Sequence, residues 1–265
     1  MPVFAFSPIP FDCVLVLAFI IGACVGSFVK YIQIRLTKHS GSDLGRSKCP
    51  DCGHTLGTFG IFPVFRYILL RGRCRHCNAR ISLRYFAVEL SFGFGYLWLT
   101  AMFGLSWLTL EYALLFIILV AASLCDISTF EVPDFLHIAS IAVFFAFIMT
   151  HSDPLGRLKE GLKAFAIYGV GLLMLSLFAE KVFKRTALGG ADIKLFAVLG
   201  LFFGPLKMLF LLTWSCVFGL LCAIFMRAGF GKEFPFIPSI TIAAYLIALF
   251  GDRWLAGYLD LIYLR

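Results

Sequence analysis

Long apolar runs alternate with short polar breaks along this chain, and eight such runs are legible. They cover about residues 11–34, 86–103, 108–126, 135–150, 162–182, 192–203, 207–226 and 238–250. A helix crosses the hydrocarbon core with about 20 apolar residues, fewer where flanking side chains snorkel or the bilayer thins. The pattern predicts an all-α polytopic membrane protein of about eight transmembrane helices. The sixth run is the shortest, and a turn at Gly204-Pro205 is expected to separate it from the seventh. One polar stretch is far longer than a connection. The expected organisation is a first transmembrane helix within 1–34, a hydrophilic module over 35–85 and a membrane-embedded helical bundle over 86–265.

Composition agrees with lipid as the solvent for most of the chain. Hydrophobic residues make up 61% and charged residues only 14% of 265, and Phe alone occurs 31 times. A soluble domain of this length cannot hide that much apolar surface. A secretory signal is not the explanation, since apolar segments recur throughout and the first lacks a basic region before it.

Charge adds an orientation. Residues 37–85 hold nine Lys/Arg against two acids, a net +7 of the chain's +8. Nucleic acid is one partner for such a patch. The positive-inside rule accounts for it more simply, because short basic loops stay in the cytoplasm. The expectation is therefore no nucleic-acid partner, contact with anionic membrane lipids, a cytoplasmic 35–85 loop and both termini outside. On that topology 127–134, 183–191 and 227–237 are also cytoplasmic. Lys181, Lys184, Arg185, Arg227 and Lys232 lie on or beside them.

The hydrophilic module holds Cys49-x-x-Cys52 and Cys74-x-x-Cys77, with 21 residues between the pairs. Each pair can supply two corners of a tetrahedron, the pattern of a structural four-thiolate zinc site. His54 and His76 flank the pairs and are alternative ligands. The other five cysteines lie in or beside apolar runs, where a thiol is usually a small hydrophobe. A reduced compartment fits the paired cysteines.

Ionisable groups at membrane depth are costly and are functional candidates. Asp126 closes the third run and Asp192 opens the sixth after Gly189-Gly190-Ala191. The topology brings both to the cytoplasmic side. Two carboxylates at one depth on two helices are what an aspartyl protease needs, one ionised to activate water and one protonated to polarise the scissile carbonyl. The plainer alternative is structural. Asp192 is placed to cap a helix, whereas Asp126 opposes the dipole at a helix C-terminus. Asp134, after Pro133, is expected to cap the fourth helix. Lys194 is expected to bias Asp192 or to snorkel. Glu89 is expected to pair with Arg80 or Arg84, and Glu111 is noted within the third run. Gly22, Gly26 and Ser27 suit close helix contact.

Taken together these residues resemble the type IV prepilin peptidases, bifunctional leader peptidase/N-methyltransferases of bacterial inner membranes. The likeness covers nearly the whole chain. It runs through Gly26-Ser27-Phe28, Cys49-Pro50-Asp51-Cys52-Gly53, Leu70 to Cys77, Ile81 to Tyr85 with Glu89, then Asp126, Val132-Pro133-Asp134, Gly189 to Leu195 and Pro235-Phe236-Ile237-Pro238. The resemblance implies Asp126 and Asp192 as the catalytic pair and the four cysteines as a cytoplasmic tetrad often tied to zinc. It also implies cleavage of short basic leaders from pilin or pseudopilin precursors, followed by methylation from S-adenosylmethionine. Three positions depart from the family pattern. Ala191 replaces the second Gly of G-x-G-D, Lys30 stands where G-S-F-L-N has Asn, and Arg66 stands where Ser is common. The last two fall in the methyltransferase half, so the resemblance carries peptidase activity further than methylation. The rival readings are a peptidase without methyl transfer, a non-catalytic zinc-stapled assembly factor and an ion-coupled transporter with an aspartate relay.

Overall fold

In lipid each backbone N–H and C=O must find its partner within the segment, so apolar runs fold as helices. The structure is a computed structural model that describes residues 10–37, 83–184, 188–225 and 234–263, with the isolated positions Cys52, Arg73, His76 and Cys77. The helices are α1 (Phe11–Thr37), α2 (Leu83–Phe103), α3 (Trp107–Thr129), α4 (Asp134–Phe147), α5 (Pro154–Phe183), α6 (Gly190–Phe225) and α7 (Ile237–Tyr263). A short 3-10 turn, Ile148–Thr150, extends α4. Among the described residues, six helices are long and apolar enough to cross a membrane, and α4 with its extension is a shorter apolar helix. The chain is an all-helical polytopic membrane protein.

Three elements differ instructively from the hydropathy pattern. The sixth and seventh runs form the two arms of α6, which break at Gly204 (φ 70°, ψ 173°) ahead of Pro205. Glycine tolerates that backbone, and proline cannot bond back into the preceding turn. The Tyr168 hydroxyl on α5 donates to the Pro205 carbonyl at 2.8 Å, covering an acceptor near the break. Helix α5 begins eight residues earlier than expected. Pro154 opens it, and Asp153 caps it by accepting from the Gly156 N–H at 2.9 Å. Helix α7 continues to Tyr263, well past the expected end at 250. Asp252, Arg253 and Asp260 depress the hydropathy there, but Asp252 is paired with Lys207 of α6 at 2.5 Å.

The chain divides into two compact units, Pro2–Thr109 and Leu110–Arg265. In the first unit α1 packs on α2 through small residues, as their spacing predicts. A Cβ at Gly22 would fall 2.4 Å from the Phe92 carbonyl oxygen, so the backbone contact requires glycine. Glu89, buried on α2, shares a hydrogen bond with Ser27 of α1. The expected arginine partners, the Arg80 residue and the Arg84 side chain, lie outside the described residues.

The second unit builds its centre on the first arm of α6, which is buried from Leu195 to Phe203. Helix α5 approaches it closely. Cβ atoms added at Gly161 and Gly200 would sit 2.8 Å from Leu201 backbone and 2.9 Å from Ala164 backbone, respectively. Helix α3 is joined to α7 by Ser123 and Thr241, whose hydroxyls are 2.7 Å apart and both bond the Leu119 carbonyl.

Candidate active site

One turn beyond Ser123, the same face of α3 presents Asp126, which is 7% exposed. Its Oδ2 accepts the Ile237 N–H at 3.0 Å, and the Phe236 N–H is a second backbone donor. These donors open α7, so Asp126 sits against the positive end of that helix. The donor segment is itself held in place. The Phe236 ring lies against Gly219 of α6, where an added Cβ would come within 2.6 Å of it, and beside Phe196 and Phe234. Below Asp126 the chain leaves α3 through Phe130 in a left-handed conformation (φ 56°), its N–H bonding back to the Asp126 carbonyl at 3.0 Å.

Asp192 lies half-buried in the first turn of α6. Its own N–H bonds the Gly189 carbonyl at 3.1 Å, and its carboxylate takes the Gly189 N–H. Gly190 has open space where a Cβ would point, so the small-residue approach to Asp192 is unobstructed on that side. Asp126 and Asp192 lie near enough for one to feel the charge of the other. Among the described residues, no Lys, Arg or His forms an ion pair with either. Each carboxylate is met by backbone N–H groups, which suit an anion without fixing it as one half of a salt bridge.

Other expectations resolve differently. Pro133, not Asp134, occupies the N-cap of α4, and Asp134 is the first residue of the helix with no side-chain capping bond. Asp134 instead takes the Lys194 ammonium at 2.6 Å on an exposed surface. That bond draws Lys194 to Asp134 rather than to Asp192. Glu131 is exposed, its backbone N–H 3.4 Å from the Thr129 hydroxyl. Glu111, given no partner by sequence, is fully buried between Arg157 and His151.

His137 of α4 was not singled out by sequence as a site residue. It is 6% exposed, and its Nε2 lies 3.2 Å from the carbonyl oxygen of Ala191, the residue before Asp192. A lone histidine in an apolar run carries no signal of its own. The donors at Phe236 and Ile237 lie within Pro235-Phe236-Ile237-Pro238, but backbone groups have no sequence signature of their own.

Of the four paired cysteines, Cys52 and Cys77 are exposed. Cys49 and Cys74 lie outside the described residues. Among the described residues, no cluster of three or more metal-ligating side chains is assembled.

Comparison with known proteins gives the family. A profile described as Bacterial Peptidase A24 N-terminal domain matches residues 20–103. A second, described as Type IV leader peptidase family, matches residues 113–224, a range that includes both Asp126 and Asp192. Among similar curated proteins is a prepilin leader peptidase/N-methyltransferase of Vibrio cholerae, 31% identical over 90% of this chain and 97% of that protein. One of the same name from Bacillus subtilis is 29% identical over 93% of this chain and 98% of its own length. Another, from Myxococcus xanthus, is 30% identical over 83% of this chain and 65% of its own length. No solved structure matches the chain at a significant level. The chain belongs to the type IV leader peptidase family and is a peptidase enzyme of that family.

Proposed function

We propose that the chain is an aspartyl endopeptidase of the bacterial inner membrane. Its substrates are type IV prepilins or pseudopilins, whose short basic leader it removes at the cytoplasmic face. It then methylates the new N-terminus. The observation that carries the peptidase reading is the pair Asp126 and Asp192, two acids on separate helices, mutually interacting, met by backbone N–H groups, and free of ion pairs among the described residues. A structural acid in an apolar surround is ordinarily neutralised by a cation.

In this reading Asp126, with two backbone donors at a helix N-terminus, is the ionised member. It takes a proton from water as the water oxygen bonds to the scissile carbonyl carbon. Asp192 carries the shared proton and donates to the carbonyl oxygen, stabilising the charge that develops there. The tetrahedral intermediate collapses with cleavage of the C–N bond as one of its hydroxyls returns a proton to Asp192. Asp126 returns its proton to the departing amine. The eight hydropathy runs are then seven helices with one broken at Gly204-Pro205, and the active site lies at the cytoplasmic ends of α3 and α6.

Four thiolates in two C-x-x-C pairs are the donor set of a closed zinc site. Cys49, Cys52, Cys74 and Cys77 would hold one zinc and, through it, fold the 35–85 module. S-adenosylmethionine would supply the methyl group, and no residue here is assigned to hold it. The test is to incubate detergent-purified protein with a prepilin precursor and weigh the products. Loss of the leader supports the peptidase, and an added methyl group supports the second activity. An intact precursor would count against both.

A further inference from the structure

We propose that His137 is a positioning residue for Asp192, acting through the Ala191 carbonyl and reinforced by the Asp134–Lys194 pair. This rests on the reading of Asp192 as half of the catalytic pair.

Two links join α4 to the first turns of α6. His137 reaches the Ala191 carbonyl at 3.2 Å, and Lys194 reaches Asp134 at 2.6 Å. Asp134 and His137 are three residues apart on α4, hence on one face. Ala191 and Lys194 are likewise three apart on α6. The two links bracket Asp192 in sequence, one before it and one after. Together they tie the first turns of α6 to α4, adding to the packing of the buried arm that limits rotation of the helix about its axis.

That rotation decides where Asp192 points. Successive residues of an α-helix are about 100° apart, and a side-chain tip lies roughly 6 Å from the axis. A rotation of about 20° would therefore carry the carboxylate about 2 Å sideways. A misplacement of about 1 Å can cost about 100-fold in rate. Asp192 has no cation to hold it among the described residues, so its aim depends on the backbone that bears it.

The chemistry of His137 favours this role over packing. A carbonyl oxygen only accepts, so Nε2 is the donor and carries a proton. In the neutral ring Nδ1 is then an acceptor, and it is buried without a partner. An unmet buried acceptor costs about 1–3 kcal/mol. A Leu or Phe would fill the same volume without that cost. What His supplies and they do not is the Nε2–H bond to Ala191. Glutamine can place an amide N–H at a similar reach, which gives the test its control.

The experiment measures kcat and KM for cleavage of a prepilin precursor by the full-length protein in detergent. The variants are His137→Leu, His137→Gln, Lys194→Met and Asp192→Asn, each with its thermal unfolding recorded. His137→Leu is expected to lower kcat about 10- to 100-fold with KM within about 2-fold and unfolding unchanged. His137→Gln is expected to recover most of that loss, and Lys194→Met to cost only about 3-fold because its bond is solvent-exposed. Wild-type kcat in His137→Leu, or a Gln variant as slow as Leu, overturns the positioning role. So does a loss matched by a reduced folded fraction. The Asp192→Asn arm separates the two ideas. If it is inactive while His137→Leu is normal, the catalytic pair stands and only the positioning falls. If Asp192→Asn cleaves at a wild-type rate, the catalytic reading falls and takes the positioning role with it.

Discussion

Helix α3 carries a buried acid near each end, Glu111 in its second turn and Asp126 in its last, separated by roughly 22 Å along the axis. Their surroundings are opposites. Glu111 Oε1 takes Arg157 Nη2 at 2.5 Å and its Oε2 takes His151 Nε2 at 2.9 Å. The Arg157 guanidinium also lies over the Phe144 ring, 5.4 Å from its centroid. Every oxygen of that acid has a side-chain donor, and a fixed cation balances its charge. Asp126 has backbone donors and a second acid for a neighbour. A carboxylate locked to a cation has one stable charge state. A carboxylate beside another carboxylate, with neutral donors, has two accessible ones, which is what proton transfer needs.

The largest effect tests this contrast directly. Asp126→Asn or Asp192→Asn is expected to lower cleavage by about 1,000-fold or more, with insertion and thermal unfolding near wild type, because neither acid can perform both roles. Leader processing close to the wild-type rate by either variant would sink the aspartyl assignment. Glu111 should behave in the reverse way. Glu111→Ala leaves the half-buried Arg157 guanidinium without its counter-charge, a loss of up to about 3–5 kcal/mol. Less folded protein is expected, with normal turnover per folded molecule. The double variant Glu111→Leu with Arg157→Leu should regain much of the stability, since the remaining cost is mainly packing. A stable Glu111→Ala protein with no turnover would instead place Glu111 in the chemistry and erase the distinction.

These two ends were not equally legible in the sequence. Asp126 stood out because an anion at a helix C-terminus is electrostatically misplaced, and Asp192 because small residues lead into it. Helix positions followed from apolar runs, and the break at Gly204 from the Gly-Pro pair. Glu111 could not be interpreted, since its partners lie 40 and 46 residues away and only tertiary packing unites them. Arg157 is one of four charges in 151–160, with Asp153, Lys159 and Glu160, and nothing in the sequence singles it out. The last half of α7 was missed because hydropathy counts Asp252 as a cost and cannot see Lys207 beside it. Of the two roles expected for Lys194, biasing Asp192 or reaching the surface, the structure shows an exposed side chain, and its acid partner is not the one nearest in sequence. Its nearest acid in sequence is Asp192, but its side chain meets Asp134 across helices.

A smaller effect concerns substrate capture at the Asp126 end. Asp134 is engaged by Lys194, and that neighbouring ammonium holds its carboxyl below the usual carboxylate range. On the proposed reading, exposed Glu131 is then the acid left to meet a basic leader. Glu131→Lys is expected to raise KM for a basic leader by about 3- to 10-fold and to spare a charge-neutralised one, with the difference shrinking as salt rises. Equal effects on both leaders would show that the turn acts through structure. The same measurement on Glu111→Gln should show no leader-charge dependence, which keeps the two ends of α3 distinct.

The smallest expected effect lies at the Glu111 end and is read by pH. Burial, with the nearby Arg157 guanidinium, presses the His151 imidazole from its usual 6.5 down to about 4. At neutral pH the ring is therefore uncharged and donates Nε2–H to Glu111 Oε2. In the unfolded chain the same ring takes a proton near 6.5. Between about 6.5 and 4 the unfolded state binds more protons than the folded one, so stability falls as pH falls through that window and is fully present above it. His151→Gln keeps an N–H donor for Glu111 but cannot be protonated. Thermal unfolding of the wild type should drop between pH 6.5 and 4 by more than that of the glutamine variant, while the two agree above pH 7. Parallel curves across the whole range would show that His151 carries none of the acid sensitivity. Cleavage per folded molecule should follow the same pH profile in both proteins, because the ring lies at the opposite end of α3 from Asp126.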